Sequence, residues 1–329
     1  MRVFAAVLAA YPIAVVGLIV AVPLVGPRDG PLALGAVLSM HLALAALVLV
    51  PVAFVRDARA LRLALVGLLA IGLIRFGGEW LSVPAVGDGP DLVELRVLSW
   101  NLELGARAGP ALVDGLRAAP VDVITLQELG QEHIAAIEAD ADLAARFPHR
   151  VLEPRPGVMG MGVLSRFPIT RTASNADDPV AIEVVLEIDG QLVTVIDGHP
   201  LPGIIGSRGP IPLSFDPARR DRALHAFRDR VDAAIGRGET VIVAGDFNVA
   251  PTEPAYAELS RGLRDAHVEV GLGPGWTWRP SRFEPLGIGL LRIDLALAGP
   301  GARPIDVGTR CDLPGDHCQL IATFALEGR

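Results

Sequence analysis

The chain has 329 residues, of which 51% are hydrophobic, and a formal net charge of −8 with no lysine at all. The acidic balance excludes a protein that binds long duplex nucleic acid through a general basic surface. The apolar excess is not spread evenly. It sits in the first quarter, which separates a membrane region from a water-soluble remainder.

Phe4 to Val25 and Leu32 to Val55 are uncharged runs of more than twenty residues, long enough to cross a hydrocarbon core of about 30 Å. A third span is expected over Leu61 to Leu81. It is the weakest of the three because Arg62, Arg75 and Glu79 lie in or near it, although the last two are four apart and able to pair at a helix end. A cleaved signal peptide is rejected: Arg2 is the only charge before a run that is too long, and a second span follows at once. His41, in mid-span, is read as an imidazole bonded within the helix bundle. Arg56, Arg59 and Arg62 mark a cytoplasmic loop, so everything after the third span is expected outside the cell membrane. That orientation inverts if the third segment does not span.

The expected domain layout is a membrane region of about three helices over 1–81, a Pro/Gly/Asp-rich linker over 82–93 and a catalytic domain over 94–329. About 235 residues are ample for one domain with a large core. An Asp-Gly pair at 189–190 between two alternating runs predicts a hairpin, and Asp216 to Arg237 reads as a helix.

Several short apolar runs in this region deliver polar groups at their ends. Arg96-Val-Leu-Ser-Trp-Asn101 ends in an amide, Val121 to Glu128 in a carboxylate, and Leu192 to His199 in an imidazole. Val241 to Asn248 ends in Gly-Asp-Phe-Asn, which puts Asp246 and Asn248 on one side of the chain because side-chain direction repeats every two residues. Leu291-Arg-Ile-Asp294 ends in an acid, and Gly315-Asp316-His317 precedes the run Leu320 to Phe324. Singly, each is also an ordinary turn.

As an ordered set these segments resemble the endonuclease/exonuclease/phosphatase superfamily over about residues 94 to 327. The resemblance implies a four-layer α/β sandwich with two central mixed sheets and metal-dependent phosphoester hydrolysis. It implies Asn101, Glu128 and Asp316 as metal ligands, with Glu103 either a further acid near the metal or an exposed loop carboxylate. It implies Asp246 orienting or deprotonating the attacking water, Asn248 holding a phosphoryl oxygen, and Asp294 fixing His317 against the scissile phosphate. His199 marks relatives of the deoxyribonuclease, sphingomyelinase and inositol phosphatase kind. The AP endonucleases use a tyrosine instead, and this chain offers only Tyr11 and Tyr256. Gly315 stands where relatives usually have serine, so one hydrogen bond to the site is expected to be missing.

Oxygen ligands without a His/Cys cluster suit Mg²⁺, with Mn²⁺ as a substitute, and disfavour zinc. Cys311 and Cys318 bracket Asp316 and His317; a disulfide is favoured over two buried thiols because the domain is expected outside. Trp276 and Trp278 stay open between base stacking, lipid contact and packing, and the apolar stretch Pro200 to Pro212 between a membrane-dipping loop and burial against the domain. Arg166 is either a phosphate contact or a surface charge.

The expected function is a membrane-anchored, Mg²⁺-dependent phosphoesterase hydrolysing a phosphodiester or phosphomonoester outside the cytoplasm. Its partners are the bilayer, through the N-terminal helices, and a phosphoester substrate. A small or lipid-borne phosphodiester is favoured over nucleic acid on charge; an extracellular nuclease is the alternative. A catalytically silent membrane-tethered module is the alternative of another class.

Overall fold

A computed structural model describes residues 2–55, 58–82, 92–103, 110–175 and 180–327. Arg56 and most of the expected linker, 83–91, lie outside these residues. Among the described residues three helices are long and apolar enough to cross a membrane: Val3–Val25, Gly30–Ala53 and Arg59–Trp80. The third exists at the expected place, and its Arg75 lies 3.4 Å from Glu79 one turn on.

Fourteen strands follow among the described residues: β1 Val93–Asn101, β2 Val123–Gln127, β3 His149–Glu153, β4 Met161–Ser165, β5 Ile169–Asn175, β6 Val180–Ile188, β7 Gln191–His199, β8 Ile204–Arg208, β9 Ile211–Asp216, β10 Thr240–Asp246, β11 Arg264–Asp265, β12 Asp294–Ala298, β13 Ala302–Arg310 and β14 Gln319–Leu326. They form one six-stranded sheet in the order β13-β14-β1-β2-β4-β3, a second in the order β11-β12-β10-β7-β6-β5, and the separate hairpin β8-β9. Both large sheets are mixed: β1 runs parallel to β2 and antiparallel to β14, and β10 runs parallel to β7 and antiparallel to β12.

The two sheets face each other across a core that includes Val97, Val163, Val184, Val195, Ile242 and Phe324. Because these central strands are buried on both faces, their sequences are continuous apolar runs rather than alternating ones. One outer face packs the helices Pro110–Ala118, Gln131–Glu138 and Ala141–Arg146 through Leu112, Ile134 and Leu143. The other packs Ala218–Gly236 through Leu224, Phe227 and Val231. The result is a four-layer α/β sandwich. Asp189 and Gly190 both adopt positive φ, 48° and 79°, and close the β6-β7 hairpin as the Asp-Gly pair predicts.

Candidate active site

The carboxyl ends of β1, β2, β7 and β10 meet at one edge of the sandwich, since two parallel pairs, one in each sheet, point the same way. Asn101 ends β1, Glu128 follows β2, His199 ends β7 and Asp246 ends β10. The antiparallel neighbours add their own beginnings: Asp294 stands directly opposite Asp246 in the register, and His317 lies two residues before β14.

The Asn101 side-chain amide bridges the sheets, donating to Glu128 Oε1 at 3.1 Å and Asp246 Oδ2 at 2.9 Å. Its own oxygen accepts from the Glu103 N–H at 2.9 Å, which sets the orientation of the amide. Asp246 is almost fully buried, and its Oδ2 lies 3.6 Å from Nε2 of both His199 and His317. The Nδ1 of His317 pairs with Asp294 Oδ2 at 2.9 Å. Burial opposes charge on His317, but Asp294 and Asp246 outweigh it and hold the pKa up at about 10. The group is therefore an imidazolium at neutral pH. Burial raises the pKa of Asp246, while His317 draws it back.

Asn248 accompanies Asp246 as the two-residue spacing predicts. Its N–H donates to Asp246 Oδ1 at 2.9 Å, and its amide donates to the Pro200 carbonyl at 3.1 Å. All eight expected site residues are thus brought to one edge. Asp316 joins through Glu103, whose Oε2 accepts from the Asp316 N–H at 3.2 Å, so Glu103 is no stray loop carboxylate.

The carboxylates on this side are crowded. Burial, above all, and the charges of Glu103 and Glu128 push Asp316 up to about 6, against an opposing pull from His317. Asp316 Oδ1 is buried and has no hydrogen-bond partner. Converging acids with a buried, unsatisfied oxygen fit a hard divalent cation, which accepts oxygen ligands and offsets their repulsion. A second cluster, Asp246, Asp294 and His317, brings ligand-type atoms within 4.8 Å of one another. It fits an ion less well, because Nδ1 of His317 is already paired to Asp294 and Asp246 Oδ2 already accepts from Asn101.

Backbone strain picks out the same residues. Among the described residues only Glu103, Glu128, Asp189 and Asn248 are non-glycine residues with positive φ, at 49°, 56°, 48° and 51°. Apart from the hairpin residue Asp189, all of them lie at the site, where such conformations are kept when the surroundings enforce them.

Four residues that support the site have no role assigned to them in the sequence. Asp197 is fully buried two residues before His199, and its Oδ1 accepts from Gln127 Nε2 at 2.7 Å. The period of two along β7 was the available signal. Arg279 is wholly buried and donates to the carbonyls of Gly315, Cys311 and Leu313 at 2.9, 2.9 and 3.0 Å. It holds the loop bearing Asp316 and His317 from within, alongside the disulfide that joins Cys311 to Cys318. Thr277 accepts the N–H of Asp294 at 3.1 Å, and Trp278 forms an isolated β-bridge with His317. Gly315 has φ 123°, a conformation that serine would adopt only with strain, so the departure from the usual serine is a backbone requirement.

Other residues resolve as structural. Arg166 pairs with Asp122 at 2.6 Å, and Tyr256 donates to Asp265 at 2.6 Å. Trp276 stacks on His41 with ring centroids 5.3 Å apart, so it packs against the second apolar helix. His41 bonds outside its bundle, with Nε2 2.7 Å from the Leu290 carbonyl. The stretch Pro200 to Pro212 is no buried loop: β8 and β9 leave Ile204, Ile205, Ile211 and Leu213 exposed.

A two-sheet sandwich with acids, amides and imidazoles gathered at one edge defines a class of phosphoester-hydrolysing proteins. The family model described as "Endonuclease/Exonuclease/phosphatase family" matches residues 98–317, and the chain belongs to that family. No curated protein matches the sequence. Among solved structures, a 3′ phosphatase, NExo, from Neisseria, bound to a product DNA hairpin, is 21% identical with a TM-score of 0.56, covering 69% of this chain and 98% of its own. Truncated TDP2 from Caenorhabditis elegans is 19% identical, TM-score 0.52, covering 70% and 97%. The catalytic domain of human Nocturnin is 19% identical, TM-score 0.51, covering 71% and 94%. At these identities the likeness is one of fold.

Proposed function

We propose that the protein is a membrane-anchored phosphoesterase dependent on Mg²⁺, with Mn²⁺ able to substitute, acting outside the cytoplasm on a small or lipid-borne phosphodiester. The observation that carries the reading is the pairing of a buried, charged His317 with Asp246 beside the crowded acids Glu103, Glu128 and Asp316. Asn101, Glu128 and Asp316 would hold the cation, with Glu103 close by. Once bound, that cation offsets negative charge on the phosphoryl and departing oxygens.

The remaining steps belong to the chain. Asp246, less acidic through burial, takes a proton from water as its oxygen bonds to phosphorus. His317, held by Asp294, and His199 face the negative phosphoryl oxygens. Asn248 exchanges its bond to the Pro200 carbonyl for one to a phosphoryl oxygen. The P–O bond to the alcohol breaks on the opposite side, and the alkoxide takes up a solvent proton. A silent module would have no need of three strained residues around this edge.

The nuclease reading keeps one support, since the similar Neisseria enzyme was captured with DNA. The acidic surface speaks against it. Full-length protein in detergent, stripped of metal by chelation and assayed on bis(p-nitrophenyl) phosphate, should be inactive and recover with Mg²⁺ or Mn²⁺. Activity that survives chelation rejects the reading.

A further inference from the structure

Taking the phosphoesterase reading as its basis, we infer that the active site opens onto the bilayer itself, between two apolar elements seated at membrane level, and that its substrate is a lipid with a phosphoester headgroup. His41 is the twelfth residue of the 24-residue apolar helix Gly30–Ala53, so it lies about 16 Å along the axis from Gly30 at 1.5 Å per residue. That is about half of a 30 Å hydrocarbon core.

The Leu290 carbonyl lies 2.7 Å from His41 Nε2, and the Trp276 ring stacks on the imidazole. The segment before Leu290 therefore runs alongside the second helix, and it leaves Leu286 and Ile288 exposed, at 60% and 48%. In water this exposure is unfavourable; beside the helix it faces lipid. An ionisable side chain in mid-span commonly has a specific partner, and here the partner comes from the hydrolase fold.

The second element is the hairpin β8-β9. Phe215 on β9 pairs with Gly30 at the mouth of the same helix. The hairpin carries Ile204, Ile205, Ile211 and Leu213 outward, and exposed Arg208 at its turn adds a positive charge suited to lipid phosphates. Apolar exposure, contact with a membrane-length helix and a cationic tip together suit a lipid surface better than a protein partner.

Both elements are continuous with the catalytic edge. The hairpin follows directly from Pro200, whose carbonyl accepts from Asn248. The 276–290 segment contains Thr277, which holds the Asp294 backbone, and Trp278, which bridges to His317. A phosphate group at lipid-headgroup level between them reaches the site without its acyl chains leaving the bilayer.

The test uses the full chain in vesicles of equal parts phosphatidylcholine, phosphatidylglycerol, phosphatidylinositol and sphingomyelin. Its only two cysteines are joined in a disulfide, so a single introduced cysteine can carry a fluorophore. Labels at Ile205→Cys, Leu213→Cys and Ile288→Cys should be quenched by brominated lipid and protected from aqueous iodide. A label at Glu187→Cys, at the far end of the β6-β7 pair from His199, should behave the opposite way. Iodide access at 205 and 288 equal to that at 187 overturns the seating, as does protection without lipid quenching, which means a protein covers them.

In the same vesicles, Ile205→Asn with Ile288→Asn should cut release of water-soluble phosphorus at least about tenfold, leaving bis(p-nitrophenyl) phosphate turnover within about twofold. Hydrolysis of the soluble diester with no release from vesicles overturns the lipid substrate alone. Loss of all hydrolysis with the labels still in lipid rejects the phosphoesterase reading and leaves the membrane seating intact.

Discussion

Nδ1 of His317 and Oδ2 of Asp294 lie 2.9 Å apart in a buried pair, and Asp294 is in turn fixed by its backbone bond to Thr277. The folded imidazole has a pKa raised to about 10, against about 6.5 when unfolded. Its contribution to stability is therefore fully present below about pH 6.5 and is lost as pH rises through about 10.

Asp294→Asn removes the main partner of that charge. The alkaline limb of the pH–rate profile is expected near 10 in the native protein and should move toward neutrality in the variant, and turnover at pH 8 should fall about ten- to hundredfold. Nuclear magnetic resonance titration of the His317 ring checks the same shift. A profile unmoved by the substitution would separate His317 from the reaction.

Asp197 offers a stability test away from the reacting groups. Burial, chiefly, and the nearby Asp246 raise its pKa well above the usual range, and Oδ2 has no partner. A raised carboxyl favours the folded state at low pH, and that advantage fades as pH climbs past the unfolded value of about 3.9. Asp197→Asn keeps the shape without the charge, so it should leave stability at pH 8 unchanged or raise it by about 1 kcal/mol, measured by thermal unfolding. A clear loss would mean that the ionised form is needed.

Arg279 holds three carbonyls of the 311–318 loop from a fully buried position. Arg279→Lys cannot reproduce the planar fork and should lower stability by about 2 to 4 kcal/mol. It should also raise the Mg²⁺ concentration needed for half activity, because Asp316 loses its fixed position. Unfolding curves and metal titrations of the same preparation separate the two effects.

The proposed topology, with the catalytic domain outside, rests on the arginines between the second and third apolar segments. A reporter fused to the C-terminus should be active only outside the cytoplasmic membrane, and Cys311 and Cys318 in protein from its native compartment should resist alkylation until reduced. Cytoplasmic reporter activity would place the catalytic edge on the inner face.

Much of the site was legible because strand ends advertise themselves. A continuous apolar run ending in Gly245-Asp246-Phe247-Asn248 marks a buried strand that delivers polar groups to an edge, and Asn101, Glu128, His199 and Asp294 follow the same pattern. The supports were less visible. Arg279 sits in a Trp/Pro-rich segment with no periodicity, and its partners are backbone carbonyls, which leave no trace in sequence. His41 pointed to a bundle-internal bond because nothing near it in sequence names Leu290, 249 residues away. The hairpin β8-β9 read as a loop because Pro202, Gly203, Gly206, Gly209 and Pro212 break its alternation.

In the proposed reaction Asp246, beside a charged His317, activates water at a cation site built on Glu128. The most direct measurement is single-turnover hydrolysis of bis(p-nitrophenyl) phosphate by full-length protein at saturating Mg²⁺, comparing the native chain with Asp246→Asn, His317→Ala and Glu128→Gln. The first two should be slower by at least about a hundredfold at every Mg²⁺ concentration. Glu128→Gln should recover much of the native rate, but only at Mg²⁺ raised about tenfold or more. Native rates in Asp246→Asn and His317→Ala, with chelation also without effect, would contradict the account.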